Sequence, residues 1–257
     1  MLLAFDLDNT VVTSDHRLPD EIVQATDAAR RAGHLVTVLT GRPRSSALDF
    51  VLRLGVTPGP YAVNHGVLVF GPGGEVLRHR RMRGEDVHAI LSPPLLPDGL
   101  PFSCIVDDDL FVDDPSDLRW SWAHTANRRV VRYAPELVRE ADKIVFGSNG
   151  ESAAIQARLQ EMFSLTTYLW GDGYLEITAE DADKGAALQL IAAALGVPRE
   201  ETVAFGDGAN DVSMLAWAGH GVAVGPHATP EILALADEHI AAPEELGVAR
   251  WLDGLLG

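Results

Sequence analysis

Leu2-Leu3-Ala4-Phe5-Asp6-Leu7-Asp8-Asn9-Thr10 opens the chain with an apolar run that ends on two aspartates. Such a run, cut off by polar residues, suits a central strand covered on both faces. Residues i and i+2 of an extended chain share a side, so Asp6 and Asp8 address the same space past the strand end. Taken alone, Asp-X-Asp fits a solvated turn equally well, and the rest of the chain has to decide between the two.

The segments that follow supply a rhythm. Residues 19–31 read as a helix with Pro19 near the first turn and Gly33 past the end. Residues 35–40 form a second buried strand, 43–54 a second helix and 61–64 a third strand. The last third resumes with a helix over 184–195 stopped by Gly196, a strand over 202–206 and a helix over 209–218. A strand over 221–225 and a helix over 230–236 complete it. Strands alternating with helices through short connections imply right-handed crossovers and a parallel sheet.

From about Glu75 to Thr178 the texture changes to longer loops, broken by Ser92-Pro93-Pro94 and Leu96-Pro97. Hairpins are expected over 67–77 and over 165–177, the second turning on Gly171-Asp172-Gly173. The predicted fold class is therefore α/β. A doubly wound parallel-sheet core is built from residues 1–77 and 180–257, and a smaller α+β domain, 78–179, is inserted between them.

Thirty-seven acidic residues against 20 basic ones give a formal net charge of −17. That surface repels nucleic-acid phosphates and anionic lipid, so the expectation is no nucleic-acid and no membrane partner. A small anionic substrate stays possible, because a metal and one well-placed Lys reverse the local field. Cys104 is the single cysteine, which rules out an intrachain disulfide and suggests a reducing, cytoplasmic setting. The N-terminus lacks the basic and apolar regions of a signal peptide, and the alanine-rich stretch at 188–195 is too short to span a bilayer. A monomer and a small homo-oligomer both fit.

Four segments at predicted strand ends or helix starts carry chemistry, and open α/β sheets place their sites at such strand ends. In the first, one of Asp6 and Asp8 could stay ionised as a nucleophile while the other carries a proton for a leaving oxygen. The second, Leu39-Thr40-Gly41-Arg42, offers hydroxyl and backbone donors for phosphate oxygens, or else Thr40 simply caps the next helix. The third, Asp183-Lys184-Gly185, puts a cation in a first helical turn, where the helix dipole disfavours it. An anionic partner for Lys184 would explain that. The fourth, Phe205-Gly206-Asp207-Gly208-Ala209-Asn210-Asp211, sets two acids and an Asn in a Gly-rich loop suited to a hard cation, although a structural turn explains its glycines too.

Together, Asp6-Leu7-Asp8-Asn9-Thr10, Thr40, Lys184 and Gly206-Asp207-Gly208-Ala209-Asn210-Asp211 resemble the four motifs of the haloacid dehalogenase superfamily, in that order. The long insertion, with Thr40-Gly41-Arg42 and Val63-Asn64-His65-Gly66 ahead of it, is similar to the Cof-type phosphatases. The likeness runs on through Gly221-Val222-Ala223-Val224-Gly225 to the C-terminal residues 244–252.

The resemblance implies a phosphatase acting on a small phosphorylated metabolite, such as a sugar phosphate, with Mg²⁺ as cofactor. It assigns nucleophilic attack on phosphorus to Asp6 and proton transfer to Asp8. It places the metal on the Asp6 carboxylate, the Asp8 carbonyl and Asp207. Thr40, Lys184 and Asn210 match phosphate-binding positions, with Gly41 and Arg42 beside them, and Asp211 matches an acid one step removed from the metal. Four carboxylates brought together would repel by about 4 kcal/mol per pair at 4 Å and an effective dielectric of 20, which magnesium and Lys184 would relieve. Asp8, lending only its carbonyl to the metal, is expected to keep a raised pKa.

Three positions depart from the family pattern. Asn9 stands for the usual Gly, His65 enlarges an Asn-Gly pair, and Pro226-His227 replaces a single Asn. The inserted domain would act as a cap that selects the leaving group, with Trp120, Trp122, His124, Arg128, Arg129 and Tyr133 as candidate selectors, or else as its core aromatics and solvated charges. The acidic run at Asp107-Asp108-Asp109 and Asp113-Asp114 lacks EF-hand spacing and reads as a solvated loop. Arg78–Arg83 reads as an exposed basic cluster near the start of the insert. A phosphomutase of the same fold and a silent binding protein are the alternatives. A dinucleotide-binding oxidoreductase is disfavoured, since no Gly-X-Gly-X-X-Gly follows the first strand.

Overall fold

The structure is a computed structural model that describes residues 1–121, 123, 128–147 and 150–257. The first segment comprises β1 (Leu2–Phe5), α1 (Asp20–Arg31), β2 (Leu35–Leu39), α2 (Arg44–Arg53), β3 (Tyr61–Val63), β4 (Leu68–Phe70) and β5 (Val76–His79). The middle segment holds β6 (Met82–Arg83), α3 (Gly84–Ile90), β7 (Phe102–Val106), β8 (Asp109–Val112) and β9 (Val130–Arg132). It continues with β10 (Glu140–Ala141), β11 (Lys143–Phe146), α4 (Ser152–Met162), β12 (Leu165–Leu169) and β13 (Leu175–Ala179). The last segment adds α5 (Lys184–Leu195), β14 (Thr202–Gly206), α6 (Val212–Trp217), β15 (His220–Val224), α7 (Pro230–Leu235), β16 (Glu238–Ile240) and α8 (Gly247–Leu256). Two compact units result: Met1–His79 with Asp183–Gly257, and Arg80–Ala182.

The first unit is built on an eight-stranded sheet ordered β16-β15-β14-β1-β2-β3-β4-β5. Its first six strands run parallel, and the hairpin expected at 67–77 adds β4 and β5 as antiparallel strands at one edge. Side chains of β1 alternate between two cores, as a strand's geometry requires. Leu3 and Phe5 enter one with Ile22 of α1, Val51 of α2 and Leu252 of α8. Leu2 and Ala4 enter the other with Leu188 of α5, Met214 of α6 and Ile232 of α7. Both layers are covered, which is why β1 is apolar throughout.

Helix boundaries follow local chemistry. Pro19 precedes α1 instead of lying inside it, acidic Asp20 and Glu21 occupy the first turn, and Arg30 and Arg31 occupy the last. In register, Phe5 lies beside Phe205 on one side and Val38 on the other. The residues that follow β1, β2 and β14 therefore emerge at one edge of the sheet.

The second unit has a six-stranded sheet, ordered β12-β13-β11-β7-β8-β9, in which only the β8–β9 pairing is parallel. β6 and β10 form a separate two-stranded ribbon. The basic cluster at 78–83 divides: Arg80 and Arg83 are exposed as expected, whereas Arg78 and Arg81 are partly covered. Arg81 is largely covered and pairs with Asp107, Glu140 and Asp142, the last of which is fully buried. Arg78 is half-buried and donates to the Gly66 carbonyl, at 2.7 Å. The acidic run is likewise tied down: Asp109 accepts from Arg129 and Asp114 from Arg132. Among the described residues, no helix is long and apolar enough to cross a membrane.

Candidate active site

Asp6 follows β1, Thr40 follows β2, Asp207 follows β14, and Lys184 opens α5. The helix begins there because the Asp183 carboxylate caps it, accepting from the Ala186 N–H at 2.9 Å. The Lys184 ammonium is completely buried. It donates to Asp6 Oδ1 at 2.6 Å and to Asp211 Oδ1 at 2.5 Å. This is the anionic environment that a Lys in a first turn called for. Asp211 spends its other oxygen on the backbone N–H groups of Asp207 and Gly208, both at 3.1 Å, and so holds the loop after β14 in its turn.

The electrostatics follow from burial. Burial raises the Asp6 carboxyl well above its usual range; Lys184 opposes the rise, and Asp211, Asp207 and Asp8 add to it. For Asp207, burial and then Asp211 push the pKa up to about 7, against Lys184 and hydrogen bonds from Thr10 and Asn9. Burial alone would lower the Lys184 ammonium, but Asp211 and Asp6 hold it above its ordinary value. The pocket gathers more carboxyl groups than one Lys can neutralise.

A divalent cation would correct that excess. Carboxylate oxygens of Asp6, Asp207 and Asp211 lie within 4.8 Å of one another, and an all-oxygen donor set suits a hard cation. Both Asp211 oxygens are engaged by Lys184 and by the backbone of its own loop, so Asp6 and Asp207 are the better-suited carboxylates.

Asp8 is differently placed. Both its oxygens accept from Arg42, from Nε at 2.8 Å and from Nη2 at 2.5 Å. The Arg42 guanidinium also lies 4.6 Å from the centre of the Phe50 ring. Arg42, expected beside the substrate, contacts Asp8 in this structure. Thr40 is not the helix cap, since Pro43 stands at that position. Its hydroxyl accepts from the Arg42 N–H at 3.1 Å, within the turn. The Asn210 amide meets His65 Nδ1 at 3.2 Å.

Some neighbours of the site have no role assigned from the sequence. Thr10 donates to Asp207 at 3.3 Å, and His16 Nδ1 stands 4.0 Å from Asp8. Asn9 has a φ of 57°, a left-handed conformation that Asn tolerates in place of Gly.

The candidate selectors of the second unit divide. Trp120 is buried with Leu110, Val112 and Ala123, as a core aromatic would be. Tyr133 bonds His88 Nδ1 at 2.7 Å and meets the Phe102 ring edge-on. Arg128 is buried and donates to the Asp108 carbonyl, and Arg129 pairs with Asp109. Trp122 and His124 lie outside the described residues.

The model of the haloacid dehalogenase-like hydrolase family matches residues 3–252, so the chain belongs to that family. Phosphatase YwpJ of Bacillus subtilis (strain 168) is 28% identical, with 99% of each chain covered. The 5-amino-6-(5-phospho-D-ribitylamino)uracil phosphatase YitU of the same organism is 27% identical, covering 98% of this chain and 96% of its own. The solved structure of a haloacid dehalogenase-like hydrolase from B. subtilis shares 26% identity at a TM-score of 0.84, covering 99% of each chain. This chain is an enzyme, a hydrolase of that family, and the relatives it is similar to are named as phosphatases.

Proposed function

We propose that this enzyme is a magnesium-dependent phosphatase that hydrolyses a small phosphorylated metabolite through a phosphoryl group carried on Asp6. The observation that supports it most is the buried Asp6–Lys184–Asp211 ion triad, with Asp207 beside it at the carboxyl edge of the sheet. Asp6 and Asp207, with the Asp8 carbonyl, would hold Mg²⁺. When bound, the ion supplies positive charge to the phosphoryl oxygens.

An Asp6 oxygen attacks phosphorus in line, and the bond from phosphorus to the leaving oxygen breaks. Asp8 gives that oxygen its proton. Asp8 next takes a proton from water, the water oxygen attacks the acyl phosphate, and phosphate leaves Asp6 free. Both Asp8 oxygens are engaged by Arg42 at rest, so that pair opens before Asp8 carries a proton. Lys184, Thr40 and Asn210 would bind the phosphoryl oxygens, and the Lys184 charge would steady the transferring group. The inserted unit would choose the leaving group. A phosphorylated polyol chain, as in the substrate named for YitU, is a sound first class to test.

Phosphate release from a panel of sugar phosphates, measured with magnesium and with EDTA, tests this reading. Asp6→Asn should lower turnover at least about a thousandfold, as loss of a nucleophile does, while circular dichroism stays native. Wild-type turnover that EDTA leaves untouched, or an active Asp6→Asn protein, would overturn it. Isomerised sugar phosphate as the main product would instead indicate a mutase.

A further inference from the structure

The loop Asn64-His65-Gly66 touches three of the four chemistry-bearing segments. Its backbone is joined to the second segment by two hydrogen bonds: Asn64 N–H to the Arg42 carbonyl, and His65 N–H to the Thr40 carbonyl, both at 2.9 Å. It abuts the third at Gly66, where an added Cβ would fall 2.4 Å from the Asp183 carbonyl oxygen. It reaches the fourth through the His65 ring and the Asn210 amide. All three loop residues are left-handed, with φ of 49°, 60° and 96°, and two of them are not glycine. Unfavourable backbone at consecutive positions persists only where its surroundings enforce it.

The His65 side chain is buried and lies directly against Gly41, where a Cβ would come within 2.3 Å of ring carbon Cε1. An amide nitrogen can only donate, so with Asn210 Nδ2 facing the ring, His65 Nδ1 is the acceptor. One imidazole thus spans from the Thr40-Gly41 turn to the loop after β14.

We propose that His65 is a positioning residue, which fixes the Asn210 amide for phosphoryl binding and joins that amide to the Thr40-Gly41 turn. The inference rests on the reading of Asn210 as a phosphate ligand given above. Without the Nδ1 acceptor, the amide would be free to rotate away from the phosphoryl group. Binding of phosphate would weaken more than the chemical step.

Two replacements separate the hydrogen bond from packing. Asn places its side-chain oxygen where His65 holds Nδ1 and tolerates a left-handed backbone, but it has no ring. Phe keeps a ring on Gly41 and has no acceptor. Inorganic phosphate serves as a competitive inhibitor of magnesium-supported p-nitrophenyl phosphate hydrolysis. His65→Phe should raise KM and the phosphate inhibition constant roughly three- to tenfold, the range for one lost hydrogen bond, with kcat changed less. His65→Asn should stay closer to wild type than His65→Phe. If His65→Phe does not fold, as judged by its melting curve, His65→Ala removes the acceptor in its place and must still rank below His65→Asn.

Asn210→Ala and the double variant complete the cycle. Positioning through Asn210 requires the loss at His65 to vanish once Asn210 is Ala. A full additional loss in the double variant overturns the proposal, as does His65→Asn ranking below the variant that lacks the acceptor. Asn210→Ala with unaltered phosphate inhibition would overturn the reading of Asn210 instead.

Discussion

Lys184 is the residue on which the charge balance of the core turns. It is completely buried between Asp6 and Asp211, shut off from bulk solvent. Removing one member of a buried ion group typically costs about 3–5 kcal/mol, because the remaining charges stay behind uncompensated. Lys184→Met should therefore destabilise the protein by about that amount in urea unfolding, well beyond the loss of a surface Lys. Adding Asp211→Asn should recover part of it; a double variant no more stable than the single would show that Asp211 is not the stranded charge. The need for an anionic partner was legible in the sequence, since Lys184 opens a helix against its dipole. The identity of the partners was not legible. Asp6 lies 178 residues away and Asp211 lies 27 away, and only the packing of α5 across the sheet brings them together. The Arg42–Asp8 pair was hidden for a similar reason: it depends on how the chain turns after β2, which residue types do not state.

At the level of elements, α5 has to seat Lys184 against the loop after β14, and Gly185 is what lets it approach. The Gly185 N–H donates to Ser213 Oγ at 3.0 Å. A Cβ on Gly185 would lie 2.4 Å from the Ser213 carbonyl oxygen, a backbone atom that cannot step aside. Two effects oppose each other in Gly185→Ala. Helix propensity favours Ala by up to about 1 kcal/mol, whereas overpacking a rigid contact costs about 1–3 kcal/mol. Crowding should win, with a lower urea midpoint and a lower kcat as Lys184 is displaced; a stabilised, fully active variant would refute the close contact. Strands and helices of the first unit were readable because burial on both faces leaves long apolar runs, as in β1 and β14. The strands β7 and β8 were not. Ser103 and Cys104 are both buried, so β7 shows no in-out alternation, and the acidic run Asp107-Asp108-Asp109, which turns at its first two residues and enters β8 at the third, reads as loop.

At the scale of the molecule, the chain passes between its two units only at His79–Arg80 and at Ala182–Asp183. Within the second unit the two ends lie close, since Arg80 Nε donates to the Glu180 carbonyl at 3.4 Å. The unit also carries its own buried side chains, including Phe102, Ile144, Phe146, Leu159 and Ile177, under a sheet of six strands. A segment of roughly a hundred residues with its own core and neighbouring ends meets the requirements for folding alone. The excised segment 80–182 should therefore melt as a single cooperative transition, with the circular dichroism of a mixed α/β protein. It should release no phosphate from any substrate of the full chain, because Asp6, Asp8, Lys184 and Asp207 all remain with the other unit. A fragment with no cooperative transition would show that the second unit borrows stability from the first. A fragment that hydrolysed phosphate esters would place the chemistry outside the Asp6–Lys184–Asp211 triad altogether.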